Sequence, residues 1–142
     1  MDINIYIQSS IKPPRRGAAK AMYMIMSPAK PDDPVKGFLE LPDTTEDAIT
    51  LSAIIEALQR FTRPTTIRIY TKCNGVFHAL DTGRIQSAKM NGFRNSKDQP
   101  TKNAELWEIF LSLVPKFSWT ITQEDHEYEN WMRSELDKWQ RA

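Results

Sequence analysis

The sequence predicts an α/β fold built on a mixed sheet, and three observations predict it. Three alternating or apolar runs, INIYI, AMYMIM and VKGFLEL, follow one another with short connections, the pattern of an antiparallel meander. A widely striped amphipathic helix comes next and ends at Arg63-Pro64. Beyond that break TTIRIY alternates β-branched residues, and the intervening helix lets it return parallel to the first strand by a right-handed crossover.

Each element has its own warrant. Ile3, Ile5 and Ile7 alternate with Asn4, Tyr6 and Gln8, so one face of strand one is core and Tyr6 suggests that the other is also covered. SSIKPPRRGAAK carries two adjacent prolines and reads as a basic loop before strand two at 21–26. VKGFLEL (35–41) is strand three. Asp43, Thr44 and Thr45 are candidate N-caps for the helix that follows Pro42, with Glu46 and Asp47 in its first turn. Its buried stripe is Ile49, Ala53, Ile54 and Ala57 flanked by Leu51, Ile55 and Leu58. A short helix is expected from Asn74 to Asp81, then a weakly basic stretch carrying Met90 and Phe93 up to Pro100. NAELWEIFLSLV (103–114) is a helix with Asn103 as N-cap and Leu106, Ile109, Phe110 and Leu113 on one side. SWTIT (118–122) is the last strand, and the C-terminal helix spaces Tyr128, Trp131, Met132, Leu136 and Trp139 for packing.

Composition narrows the class. A chain of 142 residues fits one domain, 1–142, large enough to bury a core without disulfides. Nineteen Lys plus Arg against 18 Asp plus Glu leave a net charge of +1, so no global field marks a nucleic acid or a membrane. One cysteine, Cys73, excludes an intramolecular disulfide and any two-cysteine metal motif. The N-terminus lacks a basic start and a long apolar run, which points to a soluble, cytoplasmic protein. At the C-terminal edge of the fourth strand, where α/β ligands usually sit, stand Thr71, Lys72 and Cys73, none of them an acid.

Several segments fit a known pattern. They are INIYIQSS, AITLSAIIEAL, IRIYTKCNGVFHAL, QPTKNAELWEIF with SWTIT behind it, and ENWMRSEL. Together they resemble the type 1 ribonuclease H family over nearly the whole chain. INIYIQSS stands where the family's first strand ends in Thr-Asp-Gly-Ser, and KNAELW is very close to its Lys-Asn-x-Asp-Leu-Trp. The resemblance implies a ribonuclease H-like fold: a mixed five-stranded sheet, strands 1–3 antiparallel and strands 1, 4 and 5 parallel, with helices on both faces.

The resemblance also locates a site. Family ribonucleases cleave the RNA of RNA/DNA hybrids with four carboxylates that hold two divalent metals. Carried over singly, these positions fall on Gln8, Thr50, Lys72 and Ser134. All four acids are lost and one position has become cationic, so no metal, no cofactor and no catalytic residue is expected. Lys72 is expected to fill the vacated position, donating to Gln8, Thr50 or Ser134. Asp2, Glu56, Asp125, Glu127 and Glu129 read as solvated acids rather than substitutes. The family's Thr-Asn-Asn becomes Thr45-Glu46-Asp47, and QEDHEYE replaces its Gly-His-x-Gly loop. His78 and His126 read as surface or packing residues, and Cys73 as a small buried hydrophobe.

The reading is therefore a non-enzymatic ribonuclease H-like module for nucleic-acid binding or assembly. A duplex or hybrid would be held by Lys12, Arg15, Arg16, Lys20, Thr45 and Lys72, with Arg84, Lys89, Arg94 and Lys97 as a second basic stretch. The competing readings are a protein-interaction domain or homodimer, for which Trp107, Trp119, Trp131 and Trp139 offer surface, and a nuclease with a relocated site.

Overall fold

The computed structural model describes residues 2–94, 97 and 102–140. Five strands form one sheet: β1 (Asp2–Ser9), β2 (Arg16–Met26), β3 (Val35–Thr45), β4 (Thr65–Tyr70) and β5 (Phe117–Thr122). Their order is β3-β2-β1-β4-β5, with β1, β2 and β3 antiparallel and β1, β4 and β5 parallel. This is the expected mixed sheet. The helices are α1 (Glu46–Leu58), α2 (Asn74–Asp81), α3 (Arg84–Met90), α4 (Ala104–Leu113) and α5 (Glu129–Lys138).

Two layers cover the sheet because β1 is apolar on both faces. Ile3, Ile5 and Ile7 join Tyr23, Ile67 and Ile69 beneath Ile49, Ala53, Ile54 and Ala57 of α1, with Trp107 and Phe110 of α4 completing the larger core. On the opposite face Tyr6, Met22, Met24 and Met26 pack against Met132 and Leu136 of α5. Thr45 caps α1, its Oγ1 accepting from the Ala48 N–H at 3.3 Å. Glu46 and Asp47 follow it in the first turn, where the helix dipole favours anions.

Several expectations are corrected. Arg16 to Lys20 belong to β2 rather than to a loop, because Ser10 closes the hairpin: its N–H donates to the Lys20 carbonyl at 2.9 Å and its Oγ accepts from the Lys20 N–H at 2.8 Å. Strand three runs on through Pro42 to Thr45 instead of stopping at Leu41. Proline is tolerated there because β3 is an edge strand and its register against β2 shifts between Gly17 and Ala19. The stretch after Asp81 contains a further helix, α3; Gln99, Pro100 and Thr101 of the quoted QPTKNAELWEIF lie outside the described residues. Asn103 precedes α4 in a left-handed conformation (φ 61°) with no side-chain cap, a geometry that asparagine tolerates. The buried positions of α4 are Trp107 and Phe110, while Ile109 is 41% exposed, so the helix rolls by one position from the expected face. On α5 Met132 and Leu136 are buried but Trp131 is 41% exposed, beneath the Lys36 ammonium.

Gly37 on edge strand β3 pairs with Tyr23 on β2, and the Tyr23 ring lies across it. A Cβ at Gly37 would overlap that ring, which is fully buried and tied at its hydroxyl to Glu56 and Arg60. Gly37→Ala is expected to lower unfolding free energy by about 1–3 kcal/mol. Urea denaturation checks it, and in a Tyr23→Leu background most of that cost should vanish, since the clash and not backbone entropy is its source.

Candidate functional site

The parallel register of β1 and β4 sets the site. Tyr6 pairs with Tyr70, so two residues further on Gln8 and Lys72 stand level at the C-terminal ends of the two strands. Thr50, from α1, closes the base of the same narrow cleft, of about 60 Å³. Three of the four sequence-assigned positions, Gln8, Thr50 and Lys72, are thus brought together. Ser134 is not: it is exposed on α5, and its neighbour Arg133 lines the cleft instead.

The other lining residues are Ile7, Ser9, Lys12, Glu46, Thr71 and Cys73. Glu46 and Arg133 went unrecognised as site residues. Glu46 had a readable signal, since it lies four residues before Thr50 and so on the same face of α1. Arg133 had none, because the choice between it and Ser134 is set by how α5 is rotated on the sheet. Burial pushes the Glu46 carboxyl above its usual range. Thr50 is 1% exposed, and among the described residues its hydroxyl has no hydrogen-bond partner.

Lys72 does not fill the vacated position. Its Nζ reaches away to the loop between β5 and α5, donating to the Gln123 carbonyl at 2.6 Å and to Asp125 Oδ1 at 2.5 Å, with Glu129 Oε1 at 3.5 Å. The hydrogen bond to Asp125 raises the ammonium pKa, and it holds the Asp125 carboxyl below the usual range. Asp125 and Glu129 are therefore partners of Lys72, not acids displaced into the cleft. A pair of hard divalent cations needs several anionic oxygens. Among the described residues this cleft is lined by one carboxylate, Glu46, together with Lys12 and Arg133, so it does not fit such a pair.

Cys73 is 3% exposed, and burial pushes its thiol up from the usual range, as for a small buried hydrophobe. His78 is exposed on α2. His126 is packed into an aromatic cluster, 4.4 Å from the Tyr6 ring centroid and 5.6 Å from that of Tyr70, and its Nδ1 accepts from the Tyr128 N–H at 3.2 Å.

The remaining basic residues spread over three regions. Lys12 lines the cleft, and Arg15 is exposed beside it in the hairpin loop. Arg16 is ion-paired with Asp43 at 3.0 Å, and Lys20 donates to the Trp139 carbonyl at 3.1 Å, so neither projects into the site. Thr45 is used in capping α1. Arg84 lines a second cavity of about 360 Å³ with Lys102, Asp47 and Trp107, between α3 and the start of α4, while Lys89, Arg94 and Lys97 are exposed beyond it.

With this geometry in hand, comparison with known proteins is specific. The family model for RNase H matches residues 2–125. A ribonuclease H of Clostridium botulinum (strain Hall) is 33% identical over 92 residues, covering 62% of each chain, and one of Parvibaculum lavamentivorans is 34% identical over 87 residues, covering 58% of this chain and 57% of that one. These matches thus span less than two thirds of the relatives' own length. Among solved structures, LC9-RNase H1, a type 1 RNase H, superposes with a TM-score of 0.69 at 15% identity, covering 96% of this chain and 70% of that one. The foamy viral protease-reverse transcriptase in complex with dsDNA gives a TM-score of 0.66 at 16% identity, covering 96% and 88%. At these identities the superpositions show the shared fold.

Burial holds the His126 ring below the ordinary histidine range, with Glu129 opposing the shift and Lys72 reinforcing it. The native state therefore binds fewer protons than the unfolded chain once pH falls below about 6.5, and stability declines from there until the depressed native pKa is passed. Urea midpoints measured from about pH 7.5 to 5 should fall, and His126→Phe should flatten that slope. An unchanged slope in the variant would remove His126 as its origin.

Proposed function

Because the chain belongs to the RNase H family, we propose that it is a catalytically degenerate member whose site has been converted from holding metals to binding nucleic acid directly. One observation carries this reading: Gln8, Thr50 and Lys72 line one cleft, in which Lys12 and Arg133 accompany a single carboxylate, Glu46. In the family pattern those positions hold metals against a backbone phosphate; here ammonium and guanidinium groups stand in that region. Cations can hold a phosphate, whereas one carboxylate is too few to hold the family's pair of metals.

Related chains support the class of ligand. The foamy viral protease-reverse transcriptase is described in complex with dsDNA and with an RNA/DNA hybrid. A duplex or hybrid laid across the C-terminal strand ends would meet Lys12 and Arg133 at the cleft and Arg15 on the hairpin loop, with Arg84 and Lys89 at the start and end of α3. The family's minor-groove position next to Thr45 carries Glu46, largely buried, so it presents little repulsion to a duplex at the surface.

A second reading, an assembly module without nucleic acid, has Trp131 on its side. It is the one tryptophan of four that the fold leaves substantially exposed, since Trp107 is buried, Trp119 packs on Phe110 and Trp139 stacks on Phe38. Sedimentation over a range of concentrations separates the two, because self-association through Trp131 would be lost in Trp131→Ala.

The decisive assay is incubation of the pure protein with an RNA/DNA hybrid and Mg²⁺ or Mn²⁺. No turnover is expected, whereas turnover at the rate of a family ribonuclease overturns the reading. Binding of the same hybrid should weaken with salt, and Lys12→Ala and Arg133→Ala should each reduce the slope of log affinity against log salt by about 1. Salt-independent binding, or none at low salt, would sink the nucleic-acid role.

A further inference from the structure

Beside the vacated positions stands a second group of ligand atoms. Glu46 and Asp47 open α1, and Cys73 precedes α2; one oxygen of each carboxylate and the Cys73 sulfur all lie within 4.8 Å of one another. Neither carboxylate belongs to the four positions that family ribonucleases use. The thiol donates to Asp47 Oδ1 at 3.2 Å, and a Glu46 carboxylate oxygen stands within 4.8 Å of the same sulfur. Asp47 is seated against the backbone of Gly75, where a Cβ would overlap its carboxylate, and so it is held in place by the absence of a side chain.

Thr50 supplies an independent indication of a ligand. It is 1% exposed, its hydroxyl has no hydrogen-bond partner among the described residues, and it lines the cleft together with Glu46 and Cys73. A buried hydroxyl without a partner is destabilising, and a ligated water in the cleft would give it one.

We infer that Glu46, Asp47 and Cys73 bind one thiophilic divalent cation such as zinc, with a fourth position left to a water on the side of the cleft that Thr50 lines. The dimensions agree: in a tetrahedral site with metal–sulfur near 2.3 Å and metal–oxygen near 2.1 Å, neighbouring ligand atoms are about 3.5 Å apart. The Asp47–Cys73 separation is 3.2 Å, and Glu46 needs a side-chain rotation moving its oxygen by on the order of 1 Å. A thiolate selects against magnesium, which separates this site from a two-metal nuclease centre. Binding displaces the Cys73 proton to solvent and satisfies both carboxylates at once.

The test uses the whole protein and Co²⁺ as a spectroscopic probe, followed by competition with Zn²⁺. A thiolate-to-cobalt charge-transfer band should saturate at one ion per chain and be displaced by Zn²⁺ but not by a large excess of Mg²⁺. Cys73→Ser should abolish the band, and Glu46→Gln and Asp47→Asn, which keep the thiol, should each weaken binding at least about tenfold, in line with the loss of one of three ligands. Circular dichroism confirms that each variant is folded, and the two amide variants carry the test if the serine variant is not. Absence of the band, its survival in Cys73→Ser, unchanged affinity in both amide variants, or displacement by Mg²⁺ overturns the inference. No nucleic acid enters the experiment, so its outcome is separate from that of hybrid binding.

Discussion

The parallel pairing of β1 with β4, clamped from above by α1, is the constraint on which the rest depends. Ile3, Ile5, Ile67 and Ile69 form its apolar seam, each no more than 7% exposed, and Ile49, Ala53 and Ile54 of α1 seal it. Because the pairing is parallel, both strands deliver their C-terminal ends to the same edge, and the register places Gln8 level with Lys72. A slip of one residue would turn the isoleucines out of the core, so burial fixes the location of the site as firmly as it fixes the fold. The cleft is a consequence of core packing, whatever chemistry its lining residues carry.

On that fixed frame the electrostatics have been rewritten. Lys72 follows the end of β4, and it is drawn sideways by Asp125 and Glu129 rather than into the cleft. This ties the end of β4 to the loop that follows β5, a segment further held by the contacts of His126 with the Tyr6 ring, tilted, and the Tyr70 ring, edge-on. The loop is thus stapled by an ion pair and an aromatic cluster. The cleft keeps Lys12, Arg133 and Glu46 among its lining residues.

Legibility from sequence followed the strength of local signal. Strand four and α1 could be read because β-branched alternation and a wide helical stripe are written in consecutive residues, and the N-cap Thr45 lay among the three candidates. The hairpin was misjudged because PPRR suppresses strand propensity locally, while the Ser10–Lys20 bonds that extend β2 come from a partner ten residues away. Strand three passed through Pro42 because it is an edge strand with a register shift, a property of the assembled sheet rather than of the tripeptide around the proline. Ile109 and Trp131 fit helical stripes and yet are exposed, since periodicity gives the spacing of a face but not the angle at which tertiary contacts set it.

The residues by themselves determined the element order, the mixed sheet and the family resemblance. Those are matters of identity and periodicity, which a linear chain records. Only the tertiary structure decided which side chains meet. It sent Lys72 to Asp125, brought Arg133 and not Ser134 to the cleft, and gathered Glu46, Asp47 and Cys73 from two helix starts. The physical reason is that a side chain's partner depends on helix rotation and strand register, which burial of the whole core selects and no local segment specifies.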